Sequence, residues 1–100
     1  MEEIQLQLDN NGDGAFYLKV DGEQIGEMVI NINGKLLTVY HTEVSEKAEG
    51  NGYGKKLLKA MVDHARVNQL KVKALCPYVH AQFKRHPDEY ADIWKEEDTQ

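Results

Sequence analysis

The feature that most constrains the fold is a glycine-rich segment at residues 49–54, EGNGYG, which separates two hydrophobic patterns. Before it, apolar residues recur at every second position, as in strands that bury one face. After it, they recur every three or four residues, as in a helix. Glycine at alternate positions lets the backbone turn sharply and leaves its N–H groups uncovered. We therefore expect an exposed loop between a sheet and a helix.

A loop of this kind at the start of a helix suits a ligand that carries phosphate. The uncovered N–H groups and the positive end of the helix dipole would face the same point. Two familiar phosphate-binding patterns are not matched, because Glu49 stands at the first glycine of a P-loop and Lys55 at the third glycine of a dinucleotide fingerprint. On spacing alone, a ligand loop and a tight turn packed against a helix are equally good interpretations.

Length and composition predict one globular domain with a single core, since 41% of the 100 residues are hydrophobic. No apolar run is long enough for a membrane span, and a net charge of −5 does not favour nucleic-acid binding. The single cysteine, Cys76, excludes an internal disulfide framework and fits the reducing cytoplasm. We expect a cytoplasmic domain over residues 1–94, followed by an acidic tail at residues 95–100.

The chain before the glycines predicts an antiparallel meander. An Asp-Gly pair at residues 21–22 and an Asn-Gly pair at residues 33–34 are typical of two-residue hairpin turns. The alternation changes phase after Ile25, which predicts a bulge at Gly26. The last strand has apolar side chains on both faces and should therefore lie inside the sheet. The predicted strands fall at residues 4–8, 16–20, 28–32 and 36–44.

The chain after the glycines predicts a helix at residues 53–68, a strand at residues 71–75 and a short helix at residues 78–86. Val79 and Phe83, four residues apart, would face inward from the short helix. The fold class is therefore α+β, with a mixed sheet in which the meander is followed by strand, loop, helix, strand and helix. The side chains that share the inner face of the long helix are Tyr53, Leu57, Leu58, Met61, Val62 and Ala65.

Residues 49–54 resemble the pyrophosphate loop of the GNAT superfamily of acetyl-CoA-dependent acyltransferases, which reads Gln/Arg-x-x-Gly-x-Gly/Ala. The resemblance extends over residues 36–93, where the chain is similar to the small single-domain YjdJ-like subgroup. This subgroup usually has Arg where this chain has Glu49, and Pro where this chain has Ser45. A carboxylate beside the phosphates is expected to weaken binding by a few tenths to about 1 kcal/mol. The matching segments are HTEV (41–44), LKV (70–72), CPYV (76–79), RHP (85–87) and EYAD (89–92).

The resemblance implies an enzyme that binds acetyl-CoA and transfers its acetyl group to an amine, possibly on a protein. Larger GNAT enzymes carry two helices between their first strands, which form a wall of the acceptor site, but here only a loop at residues 10–14 joins those strands. The acceptor side would then be open to a large acceptor or to a dimer partner, and we expect a monomer or weak homodimer. The alternative is a non-catalytic module that binds CoA or acyl-CoA.

The resemblance also implies where acetyl-CoA binds. The N–H groups of the three loop glycines would hold the pyrophosphate, and Lys55 and Lys56 would add positive charge. Val44 lies where such proteins use backbone groups to hold the pantetheine and the acetyl carbonyl. The expected cofactor-binding residues are Val44, Glu49, Gly50, Asn51, Gly52, Tyr53, Gly54, Lys55 and Lys56.

Four side chains are candidates for catalysis. Cys76 could be a nucleophile that forms an acetyl-cysteine, a proton donor, or a small buried hydrophobic residue. His41 and Glu43, two residues apart on one strand face, could provide a base for the amine or form a structural pair. Tyr78 could protonate the leaving thiolate or be a core aromatic. No metal site is expected, because the histidines and the single cysteine do not form a convincing tetrahedral set.

Overall fold

The computed structural model describes residues 1–95, which form a five-stranded mixed sheet with helices packed on it. Of the predicted tail at residues 95–100, residues 96–100 lie outside the described residues. The strands are β1 (Glu2–Leu8), β2 (Asp13–Val20), β3 (Glu23–Asn33), β4 (Leu36–Val44) and β5 (Lys71–Ala74). The helices are α1 (Tyr53–Val67), α2 (Pro77–Arg85) and α3 (Pro87–Tyr90), with a 3₁₀ helix at Glu46–Ala48.

The strands lie in chain order across the sheet, which confirms the predicted α+β class and the meander. β1 to β4 are antiparallel neighbours, whereas β4 and β5 are parallel and are joined through α1. β4 thus lies between two strands, as its apolar character on both faces predicts. Only residues 9–12 connect β1 to β2, so the described chain has no helix at that position. The short 3₁₀ helix and α3 were not predicted.

The two hairpin turns follow the predicted chemistry, with one shift. Asp21 and Gly22 have φ angles of 52° and 87°, as the predicted Asp-Gly turn requires. The second turn is centred one residue later than predicted, because Asn33 still pairs with Leu36 as part of the strands. Its positive φ, 60°, is at Gly34.

Two bulges change the side-chain phase of the strands. In β3 the extra residue is Ile25, because Leu18 pairs with Gly26 while the next residue of β2 pairs with Gln24. The predicted bulge is therefore present beside Gly26. A second bulge, which was not predicted, makes Tyr40 the extra residue of β4. A bulge strengthens the local twist and bends its strand, so this one changes the course of β4 before its last four residues.

The core lies between α1 and the sheet. Five of the six residues predicted for the inner face of α1 are buried, and Tyr53 is half-buried. They join one apolar cluster with the buried side chains of β2, β3 and β4. Burying each large side chain contributes about 1.5–3 kcal/mol, which fixes α1 on the sheet and hence fixes the loop that precedes it. The buried sheet residues of this cluster include Phe16, Leu18, Met28, Ile30, Leu37 and Val39.

The last helices cover the outer end of the sheet. Val79 and Phe83 are buried, as predicted, and the Phe83 ring lies 5.8 Å from that of Trp94. Val72 of β5 donates its N–H to Ile93 O at 2.7 Å and accepts from Lys95 N at 2.9 Å. Residues 93–95 therefore pair with the outer edge of β5 and protect it. No helix in the described residues has the length and apolar character needed to cross a membrane.

Candidate functional site

β4 and β5 separate at the middle of β4. They pair over the first four residues of β4 only, because β5 ends at Ala74. The N–H groups of Leu75 and Cys76 both donate to Val39 O, at 3.0 and 2.9 Å, and this turns the chain away from β4 and into α2. The remainder of β4, residues 40–44, borders a gap on this side. Backbone groups along that edge are available to a ligand that enters the gap.

The Cys76 thiol and the Thr42 hydroxyl meet across this gap. Their sulfur and oxygen atoms are 3.4 Å apart, and either atom could be the donor. Cys76 is only 1% exposed, whereas Thr42 is half-buried. Thr42 was missed from the sequence, although its position two residues from Val44 places both side chains on the same face of β4.

Tyr78 lies in the first turn of α2 and reaches the start of α1. A Cβ atom added to Gly54 would lie 3.6 Å from its hydroxyl oxygen, which shows how closely the ring approaches that helix. Burial raises the pKa of Tyr78 above its ordinary value, and the nearby Cys76 thiol raises it further. The hydroxyl therefore stays protonated at neutral pH and can serve as a proton donor.

The glycine loop has the backbone that the sequence predicts. Gly50 and Gly52 have φ angles of 89° and 74°, and a Cβ on either would meet nothing within 4 Å, so conformation rather than space favours glycine there. The Asn51 side chain donates to Ala48 O at 2.9 Å and holds the loop closed. No side chain caps α1, so N–H groups of its first turn remain available to an anion.

These parts enclose a cleft of about 270 Å³, which we call the loop cleft. It joins the glycine loop, the start of α1 and the side of Tyr78 that faces α1, and it reaches the end of β4. Of the predicted cofactor-binding residues, Asn51 and Lys56 are not among its lining. The residues that line the loop cleft are Val44, Ala48, Glu49, Gly50, Gly52, Tyr53, Gly54, Lys55 and Tyr78.

The two lysines after the loop have different surroundings. Lys55 is exposed at the rim of the loop cleft. Lys56 points toward β1, where its ammonium group pairs with the Glu2 carboxylate and lies 5.8 Å from the centre of the Tyr53 ring. Both partners of this ion pair are well exposed, so the pair contributes little stability. The predicted role of Lys56 at a phosphate stays a prediction.

His41 and Glu43 lie together on the face of the sheet opposite to α1, and a third residue joins them. Glu27 of β3 pairs directly with Glu43 across the strands. The ligand atoms of the three side chains all lie within 4.8 Å of one another. Two carboxylates and an imidazole can hold a cation, so the expectation of no metal stays untested. Glu27 was missed because the predicted strand begins at Met28, whereas β3 begins at Glu23.

A second, more open cleft of about 630 Å³ lies beside this cluster, and we call it the acidic cleft. It shares Val44 and Glu49 with the loop cleft, so Glu49 stands at the boundary between the two. Four of its lining residues are glutamates, and none is a lysine or an arginine. A cationic group is therefore the favoured occupant. Its lining consists of Gln24, Ile25, Gly26, Glu27, Thr42, Glu43, Val44, Ser45, Glu46 and Glu49.

A family model described as GCN5-related N-acetyl-transferase matches residues 15–93. No curated protein is significantly similar in sequence. Among solved structures, a GCN5-like putative N-acetyltransferase from Staphylococcus aureus is 30% identical with a TM-score of 0.67, and the match covers 94% of this chain and 90% of that one.

Two further solved structures are similar in fold. The ribosomal-protein-S18-alanine N-acetyltransferase of Escherichia coli is 15% identical over 64% of this chain, with a TM-score of 0.59. A GNAT family acetyltransferase from Elizabethkingia anophelis, solved with acetyl-CoA bound, is 24% identical over 61% of this chain, with a TM-score of 0.54. The chain spans only 42% and 41% of the lengths of these two proteins.

Proposed function

The chain belongs to the GCN5-related N-acetyltransferase family, and from this premise we propose that it binds acetyl-CoA and transfers the acetyl group to an amine. The observation that carries the proposal is the loop cleft, which connects an uncapped helix start to the gap between β4 and β5. A long ligand with a phosphate group at one end and a reactive group at the other suits this arrangement.

In this proposal, the loop and the first turn of α1 bind the pyrophosphate. The N–H groups around Gly50 and Gly52 and the positive end of the helix dipole attract it, and Lys55 adds an ammonium group at the rim. Glu49 opposes this attraction from the boundary of the cleft. The pantetheine then runs along the free edge of β4 beside Val44, toward Thr42 and Cys76.

Transfer forms a bond between the acceptor nitrogen and the acetyl carbon and breaks the bond between that carbon and the sulfur of CoA. The amine loses a proton, and the departing thiolate gains one. His41 or Glu43 takes the first proton on the open face of the sheet, and Tyr78, whose raised pKa keeps it protonated, donates the second from the helical face. A positioned acid or base of this kind contributes about a hundred- to ten-thousandfold to the rate.

Cys76 has two possible functions in this chemistry. Its sulfur borders the gap, so it can accept the acetyl group before the amine does or protonate the thiolate in place of Tyr78. Its burial keeps bulk solvent away from either step. The contact with Thr42 orients the thiol in both cases.

The proposal also covers the subgroup, the domain bounds, the location and the oligomeric state of the protein. We propose that it is a YjdJ-like single-domain member, which the coverage of 90% of the Staphylococcus aureus protein supports. We also propose that residues 1–94 form the domain, that it acts in the cytoplasm, where a free Cys76 thiol is stable, and that it is a monomer or weak homodimer.

Calorimetry with acetyl-CoA tests the binding step. Gly52→Ala should weaken binding, because its φ of 74° becomes strained and the loop must rearrange. Gly34→Ala is the matched control, because it introduces the same kind of strain at a φ of 60°, in the turn between β3 and β4. Both variants should lose similar stability, about 1 kcal/mol, but only Gly52→Ala should lose affinity.

An assay with saturating acetyl-CoA and mixed amines and peptides tests the transfer step. Acetylated acceptor, detected by mass, is the expected result. Binding without transfer to any acceptor would favour the CoA-binding module. Failure to bind millimolar acetyl-CoA would leave only the fold in common with the acetyltransferases.

A further inference from the structure

We propose that the acceptor is a linear aliphatic polyamine that lies in the acidic cleft, and that Glu27 selects it by binding an ammonium group. The inference deepens the proposed function, on which it rests for the identity of the acceptor side. It concerns a residue that the sequence pattern did not indicate and that takes no part in acetyl-CoA binding.

The acidic cleft lies where an acceptor must bind. It meets the loop cleft at Val44 and Glu49, so an acceptor in one cleft lies next to a donor in the other. One carboxylate oxygen of Glu27 and one of Glu43 lie within 4.8 Å of a ring nitrogen of His41. An amine held there has a proton acceptor beside it and negative charge around it.

Without a ligand, the arrangement of the carboxylates in the acidic cleft is unfavourable. Glu27 and Glu43 are direct cross-strand partners, and like charges in that position are unfavourable. The ion pairs among residues 1–95 include neither of them, and the one hydrogen bond of the Glu27 side chain in that range is a long bond of 3.5 Å from Gln24. An ammonium group between the two carboxylates would relieve the repulsion.

The acidic cleft carries several negative charges and is large enough for a small molecule. The carboxylates of Glu46 and Glu49 continue the negative lining beyond the Glu27 and Glu43 pair. A volume of about 630 Å³ lies within the usual range for small-molecule sites. A flexible chain with several ammonium groups can satisfy successive carboxylates, whereas an amine with one charge leaves the rest repelling one another.

An amine bound in the acidic cleft also gives a function to Glu49 of the glycine loop. The carboxylate of Glu49 is unfavourable for the pyrophosphate but favourable for an ammonium group on the other side of the boundary. A single residue would thus weaken binding of one substrate and strengthen binding of the other.

Calorimetry with the amine alone tests the inference without relying on acetyl-CoA. Spermidine and putrescine are compared with butylamine, in buffer with EDTA, for the wild type, Glu27→Gln and Asp88→Asn. The last variant removes one exposed carboxylate from α3 and is the charge control. We expect spermidine to bind more tightly than butylamine. Glu27→Gln should lower the spermidine affinity about fivefold, the effect of losing one partly exposed ion pair, whereas Asp88→Asn should not.

The outcomes separate the inference from the proposed function. Equal binding of spermidine and butylamine, or equal effects of both variants, would overturn the polyamine and leave acetyl-CoA binding untouched. A lysine-containing peptide that binds through Glu27 when spermidine does not would replace the small acceptor with a protein. If the protein binds spermidine through Glu27 but does not bind acetyl-CoA, the proposed function is refuted and the amine site is kept.

Discussion

The hydroxyl of Thr42 on β4 lies 3.4 Å from the thiol of Cys76 at the start of α2, and this contact spans the gap between the two diverging segments. Cys76 is thus held on the side of the gap where a thioester would arrive in the proposed function. A buried thiol with a polar partner is better oriented than one packed only among apolar side chains.

Replacing Cys76 with alanine should remove any acetyl adduct that forms on the protein. The protein is incubated with acetyl-CoA and no acceptor, and its intact mass is measured. Because the proposed adduct is a thioester, it should disappear when the sulfur is removed and when hydroxylamine is added.

Thr42→Val is the matched control for this experiment, since it keeps the shape of the side chain and leaves the thiol in place. It should still form the adduct, although more slowly because the thiol loses its orienting contact, and it should lose about 0.5–1.5 kcal/mol of unfolding free energy with its hydrogen bond. An adduct that persists in Cys76→Ala would move the covalent chemistry to another residue.

Glu49→Arg should tighten acetyl-CoA binding. The change replaces a carboxylate at the rim of the loop cleft with a cation that can pair with phosphate. We expect the dissociation constant to fall about fivefold, the size of one exposed charge interaction, as measured by calorimetry at low salt.

Glu46→Arg provides the comparison, because it makes the same change of charge on the 3₁₀ helix, at a position that lines only the acidic cleft. It should change the acetyl-CoA affinity much less. An equal gain in the two variants would indicate general electrostatic attraction rather than a contact at the loop.

The sequence predicted the features that depend on local pattern and missed side chains whose role depends on contacts between strands. The inner face of α1, the turn at Asp21 and the loop at Gly50 and Gly52 each follow from local periodicity or backbone preference, and the structure confirms their conformations. Glu27 was missed because the predicted strand begins one residue after it, and Thr42 was missed because its contact with Cys76 crosses the gap between two segments that are distant in sequence. Which residues face each other across strands depends on register, and each bulge shifts that register by one residue.

Tyr78→Phe should lower the rate of transfer and leave acetyl-CoA binding unchanged. If Tyr78 protonates the leaving thiolate, loss of its hydroxyl should reduce kcat about a hundredfold. Because burial raises its pKa above 10.0, the ordinary value, the wild type should keep this proton donor up to about pH 10. Steady-state kinetics from pH 6 to about pH 10 measures both effects.

Tyr53→Phe is the control for Tyr78→Phe, because Tyr53 also lines the loop cleft and loses the same hydroxyl. Its rate should change little. A Tyr78→Phe variant with the wild-type kcat would exclude the tyrosine as the acid and favour Cys76.

Asp92→Asn should destabilise the protein slightly at neutral pH and not at all in acid. Arg66 donates to Asp92 at 2.8 and 3.2 Å, and this contact lowers the pKa of Asp92 below its ordinary value of 3.8. A carboxyl group with a lowered pKa in the folded state stabilises the fold above its unfolded pKa, and the stabilisation is lost as the pH falls through the folded pKa. Since both side chains are 38% or more exposed, the loss at pH 7 should be at most about 1 kcal/mol.

Urea unfolding at pH 7 and near pH 3 checks this prediction, with Asp88→Asn as a control on the same chain end. The difference between Asp92→Asn and the wild type should shrink toward zero at the lower pH. Arg66 also donates to Glu89 O at 2.7 Å, so Arg66→Ala should cost more than Asp92→Asn and should keep part of its effect in acid. A difference for Asp92→Asn that does not depend on pH would mean that the aspartate acts through packing rather than through its charge.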